Sequence, residues 1–130
     1  MPRAAATLGF EFIDADVDNG TIELAFTAID DWTNPAGNVL GAFVAAMLYD
    51  TVGPALIATL EPDEFQATLN LNVTFLQPVR PGRVIGRGRV VDRTGDTATL
   101  DASLYDGDTV IATATATARV IPLSEARDAV

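Results

Sequence analysis

Two consecutive runs near the C-terminal end constrain this chain more than anything else in it. Ala98, Leu100, Ala102 and Leu104 alternate with Thr97, Thr99, Asp101 and Ser103. Val110, Ala112, Ala114, Ala116 and Ala118 then alternate with Thr109, Thr113, Thr115 and Thr117. A period of two sustained this long is a strand pattern, one face toward a core and one toward water. Asp106-Gly107-Asp108 joins them as a hairpin-like turn. A face built from alanine carries little bulk, so whatever covers it lies unusually close. The segment suited to that is Gly41 to about Leu60, apolar around most of its girth, as befits a helix covered on most sides. It approaches the roughly 20 residues of a membrane span. Asp50, the Gly53-Pro54 pair and the many alanines favour a buried helix instead, because a charge in lipid is costly.

The remaining pattern is strand. Phe10–Asp16 and Thr21–Ala28 flank Asp18-Asn19-Gly20, where Asn-Gly predicts a two-residue hairpin turn with positive φ at both positions. A polar loop, Asp30 to Asn38, leads into the helix. After Glu61-Pro62-Asp63-Glu64 come strands at Gln66–Leu76, Arg83–Asp92, Thr97–Tyr105 and Thr109–Ile121, and a tail from Pro122 to Val130 expected to be loose. Two prolines and a glycine keep Gln77 to Gly82 out of any central strand. Strand, strand, long helix and four strands predict an α+β fold, an antiparallel sheet against one dominant helix. With 130 residues and no linker or repeat, the chain reads as one domain over 1–130.

Composition removes whole classes of chemistry. There is no histidine, no cysteine and no lysine; all eight bases are arginine. Imidazole bases, thiol nucleophiles, thiolate or imidazole metal sites and Schiff bases are therefore absent, and no metal is expected. Eighteen acids give a net charge of −10, which argues against nucleic acid or anionic membrane as partner. The start, Met1 to Ala6, lacks the apolar core of a signal peptide, so the expected location is the cytoplasm. Carboxylates, hydroxyls, amides and backbone groups remain for any catalysis.

Two stretches carry a family resemblance. One runs Asn34-Pro35-Ala36-Gly37-Asn38-Val39-Leu40-Gly41-Ala42-Phe43 into Ala45-Ala46-Met47-Leu48-Tyr49-Asp50-Thr51-Val52-Gly53-Pro54-Ala55. The other is Thr68-Leu69-Asn70-Leu71-Asn72-Val73-Thr74-Phe75-Leu76-Gln77-Pro78. In order and spacing the chain resembles the hotdog-fold acyl-CoA thioesterases of the phenylacetate-pathway branch, over roughly Asn34 to Val120. Leu40 stands where that family usually has His or Gln, and Ala42 replaces a glycine. Without gaps the family's catalytic carboxylate falls on Tyr49, with Asp50 one place later. Some relatives carry two adjacent acids there, and this chain looks like one that kept the second.

The resemblance implies a sheet wrapped around the helix and hydrolysis of an acyl-CoA without cofactor, CoA being part of the substrate. It implies a homodimer or dimer of dimers in which the carboxylate crosses between subunits. The Gly41 amide would polarise the thioester carbonyl, where helix dipole and unpaired N–H groups favour negative charge. Asp50 would be nucleophile or base, or Tyr49 would fill the position as a hydrogen-bond donor. Asn34 and Thr68 would line the site. Arg80, Arg83 and Arg93, within the strip Arg80, Arg83, Arg87, Arg89 and Arg93, would meet the CoA phosphates; by parity the last four share one face. Each has a plainer alternative: Gly41 as a tight turn, Asp50 as a structural acid, Asn34 as a turn former, Thr68 as an ordinary strand residue, the arginines as partners of surface acids. Trp32 reads as a loop anchor. A catalytically silent acyl-CoA or fatty-acyl binder is the rival reading, motivated by Leu40 and Tyr49. Hotdog dehydratases and hydratases usually use a histidine, which is absent.

Overall fold

The computed structural model describes residues 2–129. The sequence-predicted elements form in the expected order, with changed ends. Helix α1 (Arg3–Thr7) precedes strands β1 (Glu11–Asp16) and β2 (Thr21–Ala28). Helix α2 (Gly41–Ile57) follows, then β3 (Glu64–Phe75), β4 (Gly82–Thr94), β5 (Thr97–Asp106) and β6 (Thr109–Pro122). The strands make one sheet in the order β1-β2-β4-β5-β6-β3, antiparallel throughout. Among the described residues β1 and β3 are its edges.

One face of the sheet packs on α2, as the alternation requires. Ala98, Leu100, Ala102 and Leu104 of β5 and Ala112, Ala114, Ala116 and Ala118 of β6 are buried, with Leu24 and Phe26 of β2 and Met47, Leu48 and Leu56 of α2. The closest approach of helix and sheet comes from glycine as well as alanine. A Cβ on Gly86 would stand 2.7 Å from Thr51 Oγ1, and one on Gly88 2.9 Å from the Thr51 carbonyl oxygen. The hydroxyl of Thr51 donates to the Met47 carbonyl at 2.8 Å, so the threonine sits in this contact with its proton satisfied inside the helix.

Several expectations need correction. The β1–β2 turn spans Val17–Gly20, and only Gly20 has positive φ, +67°. Asp16 takes over Asn19 instead: its carboxylate accepts the Asn19 N–H at 3.2 Å and the Asn19 carboxamide at 2.7 Å, which holds Asn19 in ordinary backbone. Helix α2 stops at Ile57 because the next amides tighten, Thr59 to the Leu56 carbonyl and Leu60 to that of Ile57, while the Thr59 hydroxyl also donates to Leu56. The tail is not loose: Pro122 ends β6, Leu123–Asp128 forms a 3-10 helix, and the Leu123 N–H bonds the Asp63 carbonyl at 2.7 Å. Val130, also in that expectation, lies outside the described residues, as does Met1. No helix among the described residues is long and apolar enough to cross a membrane.

Candidate active site

The loop before α2 is built to deliver the helix N-terminus to a fixed place. Asn34 Oδ1 accepts the N–H groups of Ala36 at 2.9 Å and Asn38 at 3.1 Å, so its carbonyl is engaged in shaping the loop, as Asn-Pro turn chemistry provides. The loop is then clamped from both sides: Leu40 N–H to the Trp32 carbonyl and Val39 N–H to the Val79 carbonyl, both 2.8 Å. Trp32 is buried and stacks on Phe43 with ring centres 4.8 Å apart, which makes it the loop anchor. Leu40 occupies the N-cap position and its side chain cannot cap the helix. The amides of Gly41 and Ala42 thus lead the helix with no backbone or side-chain acceptor among the described residues. The Phe75 ring lies over Gly41, 3.3 Å from where a Cβ would be.

Just past the middle of the helix, Asp50 is half-buried and its Oδ2 is buried without a hydrogen-bond partner among the described residues. Loss of water pushes its carboxyl above the ordinary 3.8. Pro54 lies four residues on, inside the helix, and lacks the N–H that would bond the Asp50 carbonyl. Tyr49 is exposed.

Strand β3 faces this helix along its length through a change of register. Thr68 opposes Ala118 but Asn70 opposes Thr117, so Leu69 is an extra, exposed residue. Asn70 Oδ1 accepts the Thr117 N–H at 3.1 Å, bridging the disturbance. Even-numbered Gln66 and Thr68 therefore share the helix side with odd-numbered Leu71, Val73 and Phe75. Gln66 and Thr68 are both buried, and the Thr68 hydroxyl donates to Gln66 Oε1 at 3.0 Å. The Gln66 carboxamide rests on Gly53, its Nε2 3.1 Å from where a Cβ would be. Since Phe75 meets Gly41 and Gln66 meets Gly53, α2 and β3 run in opposite directions. Asp50, three residues before Gly53, lies about 4.5 Å back along the helix axis, in the direction in which β3 runs from Gln66 to Thr68. Sequence reasoning missed Gln66; its signal was its place two residues before Thr68 in the same strand.

The arginine strip divides. Arg83 pairs with Glu11 at 2.6 Å, Arg87 with Glu23 at 2.8 Å and Arg89 with Asp101 at 2.7 Å, and Arg87 also lies over the Tyr105 ring. The expected common face fails at Arg93. A bulge between Val90 and Asp92 turns Arg93 opposite buried Ala98, whereas Arg89 opposes Asp101. Arg93 instead donates to the Gly95 carbonyl and stands 3.6 Å from Glu64. Arg80 is exposed without an ion pair among the described residues, next to the Val79 that clamps the loop before Gly41. A hollow of about 750 Å³ lies on the outer sheet face among Arg87, Arg89, Asp101 and Tyr105, and none of Gly41, Asp50, Gln66 or Thr68 lines it.

The family model of the acyl-CoA thioesterase N-terminal domain matches residues 29–119. A solved phenylacetic acid degradation-related protein from Ralstonia eutropha is 36% identical, covering 92% of this chain and 90% of its own, with a TM-score of 0.90. The E. coli PaaI protein from the phenylacetic acid degradation operon is 16% identical over 92% of this chain and 85% of its own, TM-score 0.83. A Streptococcus mutans protein solved bound to acetyl CoA is 20% identical over 87% and 89%, TM-score 0.77. The last two share the fold alone. No curated protein matches the chain. The antiparallel sheet around one long helix is the hotdog fold.

Proposed function

The chain belongs to the acyl-CoA thioesterase family, and we propose that it hydrolyses an acyl-CoA to free acid and CoA at a site shared by two copies. The observation that carries this is Asp50, a carboxylate with a buried, unpartnered oxygen on the helix whose uncapped start presents Gly41. Nine residues of helix separate them by about 13 Å and half a turn, so one chain cannot bring both to one carbonyl. A second copy can. The β3 edge and the outer side of α2 leave Leu69, Phe75, Tyr49 and Ile57 exposed, an apolar surface that a twofold contact would cover. Asp50 of one protomer then faces the partner subunit's Gly41, in a homodimer or a dimer of dimers.

The chemistry follows from those groups. The thioester carbonyl oxygen accepts from the Gly41 amide, where the helix dipole favours the developing negative charge. Asp50 takes a proton from water, and the raised affinity of its carboxylate for protons makes it a better base than an exposed aspartate. The water oxygen bonds the carbonyl carbon, the π pair moves to the carbonyl oxygen, and collapse expels the sulfur with its electron pair. The proton held by Asp50 goes to the departing CoA thiolate. Thr68 holds the water, Asn34 shapes the loop that presents Gly41, and Tyr49 lines the entrance. Arg80, free beside that loop, is the first contact for CoA phosphate; Arg83 and Arg93 contribute only by exchanging their present partners. No metal or cofactor enters this scheme, and the cytoplasm, where CoA esters are made, is its setting. Release of free CoA from a panel of short, long and aromatic acyl-CoAs, lost in Asp50→Asn, is the expected result. Saturable binding with no release would replace this reading with that of a silent acyl-CoA binder, as Leu40 and Tyr49 at motif positions suggest.

A further inference from the structure

We propose that Gln66 is a positioning residue that fixes the direction of the Thr68 hydroxyl, and so the orientation of the attacking water; this rests on the hydrolysis proposed above. A hydroxyl has one proton and two lone pairs. Thr68 commits its proton inward, to Gln66 Oε1 at 3.0 Å, and both residues are buried. Toward the seam between α2 and β3 it can therefore only accept. A water lodged between Thr68 and Asp50 gives one hydrogen to each, and its lone pair is left for the carbonyl carbon. A Thr68 hydroxyl free to rotate would donate into one of the water's two lone pairs instead, drawing electron density from the oxygen and turning it away from the carbonyl carbon.

Gln66 is itself held for this task. Its carboxamide lies against Gly53, where a Cβ would come within 3.1 Å of Nε2. The glycine thus leaves the space in which the amide rests on the helix, about one turn from Asp50. The bulge after Thr68 keeps both residues on the helix side while the strand beyond changes parity.

The test compares Gln66→Met, close in volume but unable to accept the proton, with Thr68→Val and the double variant. If Gln66 acts through Thr68, Gln66→Met lowers kcat by about tenfold to a hundredfold with KM little changed. The double variant is then no slower than Thr68→Val, because the two changes remove one function. Gln66→Glu, which keeps an acceptor for the hydroxyl, restores most of kcat. Independent losses that multiply in the double variant, or an unchanged kcat in Gln66→Met, would overturn the assignment while leaving the hydrolase intact. Should Gln66→Met fail to fold, Gln66→Glu against Gln66→Leu gives the same comparison. Absence of turnover in the unmodified protein would bring down the hydrolase and the positioning role together, a distinct result.

Discussion

The ring of Phe75 rests on Gly41, its edge atoms 3.3 Å from the place a side chain would begin. The first helical amide and the end of β3 therefore share one small space. Gly41→Ala has room only if the ring gives by a few tenths of an ångström, and Phe75 is exposed enough to do so. The expected outcome is stability changed by no more than about 1 kcal/mol, because alanine is the better helix former. Hydrolysis falls by about tenfold as the approach to the amide narrows, and Phe75→Ala in the same chain recovers part of it. Thermal melts with steady-state kinetics check both halves; loss of stability with unchanged rate would contradict them.

Asp50 makes pH the informative variable. Its folded carboxyl takes up a proton at higher pH than the ordinary 3.8, because burial disfavours the charge. The base form is present above the folded value, so the acid limb of the kcat profile lies above the usual aspartate range. Stability runs the other way. The protonated group favours the folded state fully below its unfolded value, and that contribution is lost as pH rises through the folded value. Asp50→Asn is thus expected to stabilise the protein by on the order of 1 kcal/mol at neutral pH, since half the side chain still meets water. The gain disappears in acid, and activity drops by about a hundredfold or more. Melts at pH 3 and pH 7 with rate profiles test the sign.

Gly88 stands against backbone, which cannot step aside. A Cβ there meets the Thr51 carbonyl oxygen at 2.9 Å and Ala55 Cβ at 3.1 Å, so Gly88→Ala is expected to lift α2 off the sheet. Overpacking of this kind costs about 1–3 kcal/mol, several degrees in Tm for a domain this size. A melt at the parent temperature would mean that helix and sheet separate more easily than this contact implies.

For the arginines the expectation is an uneven response. Arg80→Gln raises KM for acyl-CoA about threefold to tenfold, with an effect that weakens in salt. Arg83→Gln and Arg87→Gln, whose guanidinium groups already serve exposed acids, change KM less and stability by under about 1 kcal/mol. Kinetics at two ionic strengths separate these cases.

What the sequence made legible is what periodicity carries. The threonine–alanine alternation of β5 and β6, the apolar helix and the punctuation between strands all have local signals, and each strand fell within a few residues of its expected place. Two bulges did not. An added residue at Leu69 or between Val90 and Asp92 leaves composition and spacing looking regular, yet it reverses the face of everything beyond. That is why parity puts Arg93 with Arg89 although the structure does not; Gln66 shares its parity with Thr68, and what spacing does not carry is the hydrogen bond between them. Close packing by Gly86 and Gly88 was hidden for another reason: a glycine in a strand signals a bulge as readily as a near neighbour. Helix α1 is too short for a period to show. Burial is contained in no linear spacing, so the exposure of Tyr49 and the hidden oxygen of Asp50 were not legible in the sequence.

The extra residue at Leu69 makes β3 a strand of two halves that answer to different rules. Deleting Leu69 would restore strict alternation, leaving Gln66, Thr68, Leu71, Val73 and Phe75 on one face opposite Val120, Ala118, Ala116, Ala114 and Ala112. A homologue lacking that residue would therefore keep both the polar pair and the greasy seam on the helix side, with a straighter edge in place of the local kink.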